Sequence, residues 1–270
     1  MFSRIRVAAI AALTAFTLIA SSAATAQSPV LNRVVKTGKL RVGMSANQPP
    51  LNMKSKSGQM IGLEVDLAKG LGYALGLEVE MVQKPFGQLL PALKKGQVDM
   101  VMSGVDITAE RTKNFSFVGP YLLSGKSLVT ASRALAAAET VEDVNTSDVS
   151  FVTLKNSTSA SFVKKNIPKA KLITVDNYEE AVKMVIEGKA SAMIADVPAC
   201  VLAVLRNPDA GLVTLEEPLS VEPMGIAVSA KDKQFYNLIE NYIDTFEATG
   251  ILSALRQKWF EDPAWLEELP

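Results

Sequence analysis

The chain contains no histidine and a single cysteine, Cys200, so any chemistry must come from carboxylates, hydroxyls and cationic side chains. The lack of histidine removes most metal sites and nucleophile triads. Cys200 follows an apolar run and lacks a histidine to activate it, so it is expected to pack as a small hydrophobe. We therefore expect no catalytic residue, no metal and no cofactor.

Polar or aromatic residues follow predicted strands at five places. These places are residues 45–51, Phe86, residues 103–111, residues 156–159 and Asp196. In open α/β sheets, ligands bind beyond the carboxyl ends of the strands, where loops and helix N-termini present free backbone donors. The five places are therefore candidates for one binding site.

The elements that position these loops form two similar units. Alternating and helical hydrophobic periodicities predict strands at 39–44, 77–82 and 98–102 and helices at 64–75 and 87–95 in the first unit. The second unit has predicted strands at 150–154, 171–175 and 191–195 and helices at 159–166 and 178–187. This order predicts two mostly parallel α/β sheets. Residues 119–129 and 218–228 are predicted to be crossing strands, and residues 235–259 a pair of helices that dock on one of the sheets.

The N-terminus has the features of a secretory signal peptide. Arg4 and Arg6 precede an apolar run that is shorter than the roughly 20 residues that span a bilayer, and the small-residue end at 24–26 offers a cleavage site before Gln27. The residue directly after that site is not a cysteine, which would be needed to carry a lipid. We expect residues 1–26 to be removed, leaving a periplasmic protein without a lipid anchor.

The charge balance excludes several classes of partner. Lys+Arg and Asp+Glu both number 28, and loss of Arg4 and Arg6 leaves a formal charge of −2. Such a balance, with no basic tract, argues against binding to nucleic acid or to an anionic membrane surface.

Taken together, several segments resemble the bacterial extracellular solute-binding proteins of family 3, which bind polar amino acids for ABC importers. The most specific is Gly-Gln-Val-Asp-Met-Val-Met-Ser-Gly-Val-Asp-Ile-Thr-Ala-Glu-Arg at 96–111, followed by Phe-Ser-Phe-Val-Gly-Pro-Tyr at 115–121. Supporting matches lie at 62–68, 90–93, 154–158 and 188–196. The resemblance implies a type II periplasmic-binding-protein-like fold, with two α/β lobes joined by two crossing strands and the ligand in the interlobe cleft. It places residues 27–124 and 224–270 in lobe 1 and residues 125–223 in lobe 2.

The resemblance also assigns roles to individual residues. Arg111 corresponds to the arginine that grips the ligand carboxylate, a role that its planar fork of donors suits. Ser157 and Thr158, with Ser159 behind them, would add hydroxyl and backbone donors from the opposite lobe. Asp196 corresponds to the ammonium acceptor, assisted by the backbone of Ser103 and Gly104. Phe86 corresponds to the aromatic residue that covers the ligand's aliphatic part.

Each role has a simpler alternative. In these alternatives, Arg111 is a surface ion-pair partner, Ser157 or Asp196 is only a helix cap, and Phe86 is only a core residue.

The sequence departs from the family pattern at position 106, in the first loop and at position 156. Asp106 stands where a small hydroxyl residue is usual; facing the cleft, it would leave excess negative charge and favour a ligand with an additional donor or positive charge near its amine. An outward-facing Asp106 would have no such effect. Ser45 and Gln48 replace the acidic and aromatic residues of relatives that bind basic side chains, so the pocket suits a polar, uncharged side chain. Asn156 replaces a frequent glycine but tolerates positive φ.

The leading functional prediction is a monomeric periplasmic protein that captures an amino acid, or a similar small zwitterion, and delivers it to an ABC permease. The alternative is a periplasmic dehydratase of the cyclohexadienyl or prephenate type on the same fold, with Asp106 and Asp196 as an acid/base pair. A ligand-sensing module for a membrane partner is a third interpretation.

Overall fold

The computed structural model describes residues 28–138 and 140–270. The predicted signal peptide, at residues 1–26, lies outside these residues. Within them, no helix combines the length and apolar character that crossing a membrane requires.

The first lobe is built mainly from the N-terminal part of the chain. Its elements are α1 (Pro29–Thr37), β1 (Lys39–Met44), β2 (Asn47–Gln48), β3 (Asn52–Lys54), β4 (Met60–Ile61), α2 (Leu63–Leu75), β5 (Glu78–Gln83), α3 (Phe86–Lys94), β6 (Met100–Val101) and β7 (Phe115–Ser124). A short 3-10 turn, Arg111–Lys113, precedes β7.

The second lobe follows after one linking residue, Gly125. Its elements are β8 (Lys126–Thr130), α4 (Arg133–Ala136), α5 (Val141–Val144), β9 (Ser150–Leu154), α6 (Thr158–Asn166), β10 (Lys171–Val175), α7 (Tyr178–Ile186), β11 (Ala192–Asp196), α8 (Val197–Arg206) and β12 (Val213–Thr214). The chain then returns through β13 (Glu222–Ser229) to α9 (Lys233–Ala248) and α10 (Ile251–Arg256).

Each lobe contains one five-stranded mixed sheet. The order is β5-β1-β6-β13-β7 in lobe 1 and β10-β9-β11-β8-β12 in lobe 2. In both, three neighbouring strands are parallel. The fourth strand, β13 in lobe 1 and β8 in lobe 2, runs antiparallel to them and pairs on its other side, again antiparallel, with the last strand, β7 or β12. The carboxyl ends of β6, β9 and β11 therefore bring the loops at 103–111, 156–159 and 196 to the interlobe side. This places the candidate site residues between the lobes.

The fold is the predicted type II arrangement, and most predicted elements match the observed ones within two residues. Several elements were not predicted, namely the short helices α4 and α5 and the strand β12 in lobe 2, and two features of lobe 1. Helix α1 precedes the first predicted strand, and the strands β2, β3 and β4 form a small separate sheet. Strands of two or three residues are too short to show a hydrophobic period.

The C-terminal helices dock on lobe 1. Apolar residues on one face of α9 are fully or nearly buried in the core that also holds α2 and β1; they are Phe235, Ile239, Ile243 and Phe246. The same core includes Leu202 of α8 from lobe 2 and Leu269 near the C-terminus. Apolar packing thus crosses between the lobes at this side of the cleft.

Candidate functional site

A buried cation lies at the centre of the interlobe site. The side chain of Lys126, the first residue of β8, is 1% exposed. Its Nζ lies 2.6 Å from Asp196 Oδ1, 2.6 Å from Glu222 Oε2 and 3.2 Å from Asp106 Oδ2. These acids come from the end of β11, the crossing strand β13 and the loop after β6. One ammonium therefore joins both lobes and a hinge strand.

Asp106 faces this cluster and is 3% exposed, so the outward-facing alternative is wrong. Its Oδ2 accepts hydrogen bonds from Lys126 and from the Thr158 hydroxyl of lobe 2. Its Oδ1 is buried and accepts no hydrogen bond from an N–H or hydroxyl donor of the described residues. The neighbouring Glu222 carboxylate becomes a hydrogen-bond partner of Asp106 when Asp106 holds a proton. Lys126, a residue of the protein itself, therefore neutralises part of the excess negative charge that was predicted from the sequence.

The cluster holds three carboxylates against one ammonium, so its protonation is shifted. Burial, the negative charge of Asp196 and a side-chain hydrogen bond with Glu222 together raise the pKa of Asp106 to about 7, although Lys126 and Thr158 act to lower it. Burial also raises the pKa of Asp196. Burial opposes ionisation of Glu222, but attraction to Lys126 together with side-chain hydrogen bonds from Asp106, Lys126 and Ser220 outweighs it and holds the pKa of Glu222 below its ordinary value. Near neutral pH Asp106 is therefore partly protonated.

Arg111 extends from lobe 1 toward lobe 2. Its Nη1 donates to the backbone oxygen of Asp106 at 2.9 Å, and its Nη2 donates to the backbone oxygen of Asn156 at 3.4 Å. No carboxylate of the described residues pairs with it within 4.0 Å, so the surface ion-pair alternative does not apply. These bonds use two of the five guanidinium N–H donors, and the remaining three are available for an anion.

Two cavities border Arg111. One of about 480 Å³ is also lined by Lys155, Thr158 and Lys164, and a smaller one of about 130 Å³ is lined by Phe86 and Asn156. Phe86 begins α3 and is part of an apolar core, as its simpler alternative predicts. Its role in covering the ligand stays a prediction. A third cavity, of about 630 Å³, lies between β3 and helices α7 and α8 and has no contribution from Arg111.

The start of α6 supplies the lobe 2 side of the site. Ser157 caps this helix, accepting from the Ala160 backbone N–H at 3.0 Å and donating to the Leu154 carbonyl at 2.7 Å. Its hydroxyl is therefore fully used, whereas Thr158 reaches across to Asp106. Ser159 is buried on the helix. Asn156 has φ of 59°, which confirms the predicted tolerance of that turn.

Ser45, Gln48 and Ser103 form a buried network inside lobe 1. The Ser103 hydroxyl lies 2.9 Å from Ser45 Oγ and 2.8 Å from Gln48 Oε1. The Gly104 N–H donates to Glu64 at 2.7 Å. The Gly104 N–H and the Ser103 hydroxyl are thus occupied by the protein, and the predicted part of the Ser103 backbone in ligand binding stays a prediction.

Asp196 is at the N-cap position of α8, yet its side chain makes no capping hydrogen bond. Its carboxylate is bound by Lys126 instead. The predicted ammonium acceptor does bind an ammonium, but one that the chain supplies. Cys200 is fully buried, as predicted, and burial raises the pKa of its thiol well above the usual value.

Sequence analysis missed Lys126, Glu222 and Glu64. A lysine within the apolar crossing segment at 119–129 was the available signal for Lys126, because lysine is rarely fully buried unless paired. Fully buried Glu64 accepts from Asn52 at 2.5 Å and from Tyr121, and burial raises its pKa. Glu222 and Glu64 approach the site only through the fold.

Comparison with known proteins agrees with this architecture. Residues 40–262 match the sequence profile of the bacterial extracellular solute-binding proteins, family 3. The chain is 25% identical over 250 residues to cyclohexadienyl dehydratase of Pseudomonas aeruginosa, covering 93% of each chain, and 26% identical over 235 residues to the L-cystine-binding protein TcyJ of Escherichia coli, covering 87% of each. The crystal structure of an ancestral amino acid-binding protein, described as a precursor of cyclohexadienyl dehydratase, is 33% identical with a TM-score of 0.77, covering 85% of this chain and 99% of that one. The chain belongs to family 3 of the bacterial extracellular solute-binding proteins.

Proposed function

We propose that this protein captures a small, carboxylate-bearing solute of amino-acid size between its lobes and delivers it to an ABC importer. The observation that carries the proposal is Arg111, whose guanidinium lies at the junction of the lobes without a carboxylate partner among the described residues. A solute carboxylate there would contact lobe 1 through Arg111 and lobe 2 through the start of α6. Such a solute stabilises the closed form because only that form makes both sets of contacts.

The family and its binding-protein members support this role. In this role the protein acts as a periplasmic monomer after removal of residues 1–26, and the closed form docks on the membrane permease.

The test is a thermal-shift and calorimetric panel on protein freed of bound solute by unfolding and refolding. A solute that binds only the native state raises the melting temperature by mass action. Arg111→Lys removes the paired donors while keeping the charge, and we expect it to weaken the binding of every solute that shifts the wild type by at least about tenfold. Arg133→Lys, at an exposed position of α4, is the matched control and should bind like the wild type. Absence of a shift with every small carboxylate, or equal binding by Arg111→Lys, would contradict the proposal.

A dehydratase is the second candidate, favoured by the raised pKa of Asp106 in a buried acid cluster and by the dehydratase relative. An acid that is half protonated near neutral pH is suited to protonate a leaving hydroxyl. Incubation of the wild type with prephenate decides between the two. Multiple turnovers by the wild type that Asp106→Asn abolishes would establish the enzyme. Binding of prephenate without product would exclude the dehydratase and leave solute capture as the remaining function.

A further inference from the structure

The two ends of the candidate site are filled to different degrees. At the anion end, Arg111 lacks a carboxylate partner among the described residues. At the cation end, the ammonium of Lys126 has three N–H donors and three carboxylate neighbours. At the cation end the protein supplies its own positive group, Lys126. At the anion end no carboxylate of the described part of the chain pairs with Arg111.

We propose that Lys126 replaces the α-ammonium of an amino-acid ligand, so that the preferred solute is a carboxylic acid with a hydroxyl or keto oxygen in place of the amine. This inference rests on the proposed function, since it names the class of solute held by the same site.

The contacts of Asp196 support the replacement. In the role that the family resemblance implies, this carboxylate would receive the ligand ammonium. Its Oδ1 instead lies 2.6 Å from Lys126 Nζ. A solute amine would have to share that acid with a buried lysine or displace the lysine from it. Like charges brought together in a site shielded from water repel strongly, because the effective dielectric constant there is low.

The unused oxygen of Asp106 supports the second half of the proposal. Oδ1 is buried and lacks a donor among the described residues, while Oδ2 is occupied by Lys126 and Thr158. As a carboxylate, Asp106 can accept a hydrogen bond from a solute hydroxyl at Oδ1. As a neutral acid, it can donate one to a keto oxygen in place of its hydrogen bond to Glu222. Neither interaction brings a second cation next to Lys126.

The experiment compares matched solutes that differ only at the α-carbon. For each side chain that gives a thermal shift, the amino acid, the 2-hydroxy acid, the 2-oxo acid and the simple deamino acid are titrated calorimetrically into wild-type protein. We expect the hydroxy or oxo acid to bind at least about tenfold more tightly than the amino acid. Binding of the amino acid equal to or tighter than that of its amine-free partners overturns the inference, whatever any variant does.

Lys126→Met tests the cause of the selectivity. Removing the ammonium is expected to shift the ratio of affinities toward the amino acid by at least about tenfold. Lys69→Met, which makes the same change at an exposed position of α2, is expected to keep the wild-type ratio. An unchanged ratio in folded Lys126→Met overturns the inference; if this variant does not fold, the wild-type series decides alone.

Failure of the inference and failure of the proposed function give different results. Amino acids that bind tightly and depend on Arg111 contradict the inference and leave solute capture intact. If none of the four series binds, solute capture itself fails.

Discussion

Two buried ion clusters in this protein have opposite compositions. In lobe 1, Asp99 is 1% exposed and pairs with Arg33 and Arg41, whose side chains are 29% and 25% exposed. Between the lobes, Lys126 is surrounded by three acids. The first cluster has an excess of cations and the second an excess of anions.

The difference lies in where each excess charge can be placed. The guanidinium groups around Asp99 reach water, which solvates the charge that one carboxylate does not neutralise. Around Lys126 the acids are mostly buried, so the excess is reduced by a proton, and the pKa of Asp106 is raised to about 7. A cluster with hydrated excess charge is suited to stability, whereas one with a buried excess is suited to recognition or proton transfer.

Of the substitutions that test this difference between the clusters, Lys126→Met is expected to reduce stability most. Three acids would then lack their common cation, and we expect a loss of about 3–5 kcal/mol in the free energy of unfolding at pH 8, because an uncompensated buried charge is left behind. Chemical denaturation measures the loss. It should shrink at pH 5, where the acids take up protons; an equal loss at both pH values would contradict this explanation.

Asp99→Asn should have a smaller effect, of about 1–3 kcal/mol, since the amide keeps one acceptor and both arginines can turn toward water. The same denaturation experiment measures it. A loss equal to that of Lys126→Met would show that the exposure of the partners does not distinguish the clusters.

The third expected effect is a slope of stability with pH, rather than a loss at one fixed pH. The folded pKa of Asp106 is about 7 and its ordinary value is 3.8, so between these pH values the folded protein holds a proton that the unfolded chain has lost. This group therefore makes the protein less stable as pH rises from about 4 to about 7, by at most about 1.4 kcal/mol per pH unit. Asp106→Asn should remove that part of the slope. Because burial also raises the pKa of Glu64, whose effect remains in the variant, the difference between the two proteins is the quantity to measure.

Much of the architecture could be predicted from the sequence because it depends on local periodicity. The segments Lys39–Met44, Ser150–Leu154 and Lys171–Val175 have the predicted bounds. The prediction was weaker at the site. Arg111 and Asp106 were identified from one motif, but the partner of Asp106 is 20 residues away in sequence, at the start of a strand in the other lobe.

The sequence by itself determined the α/β class, the two units, the family and the loops that meet at the cleft, because hydrophobic period and motif order are properties of neighbouring residues. Only the tertiary structure decided which charges meet there. Lys126, Asp106, Asp196 and Glu222 come from four separate segments, and their pairing depends on the way in which the lobes close. Electrostatic effects act through space, so the role of Lys126 became visible only when those distances were known.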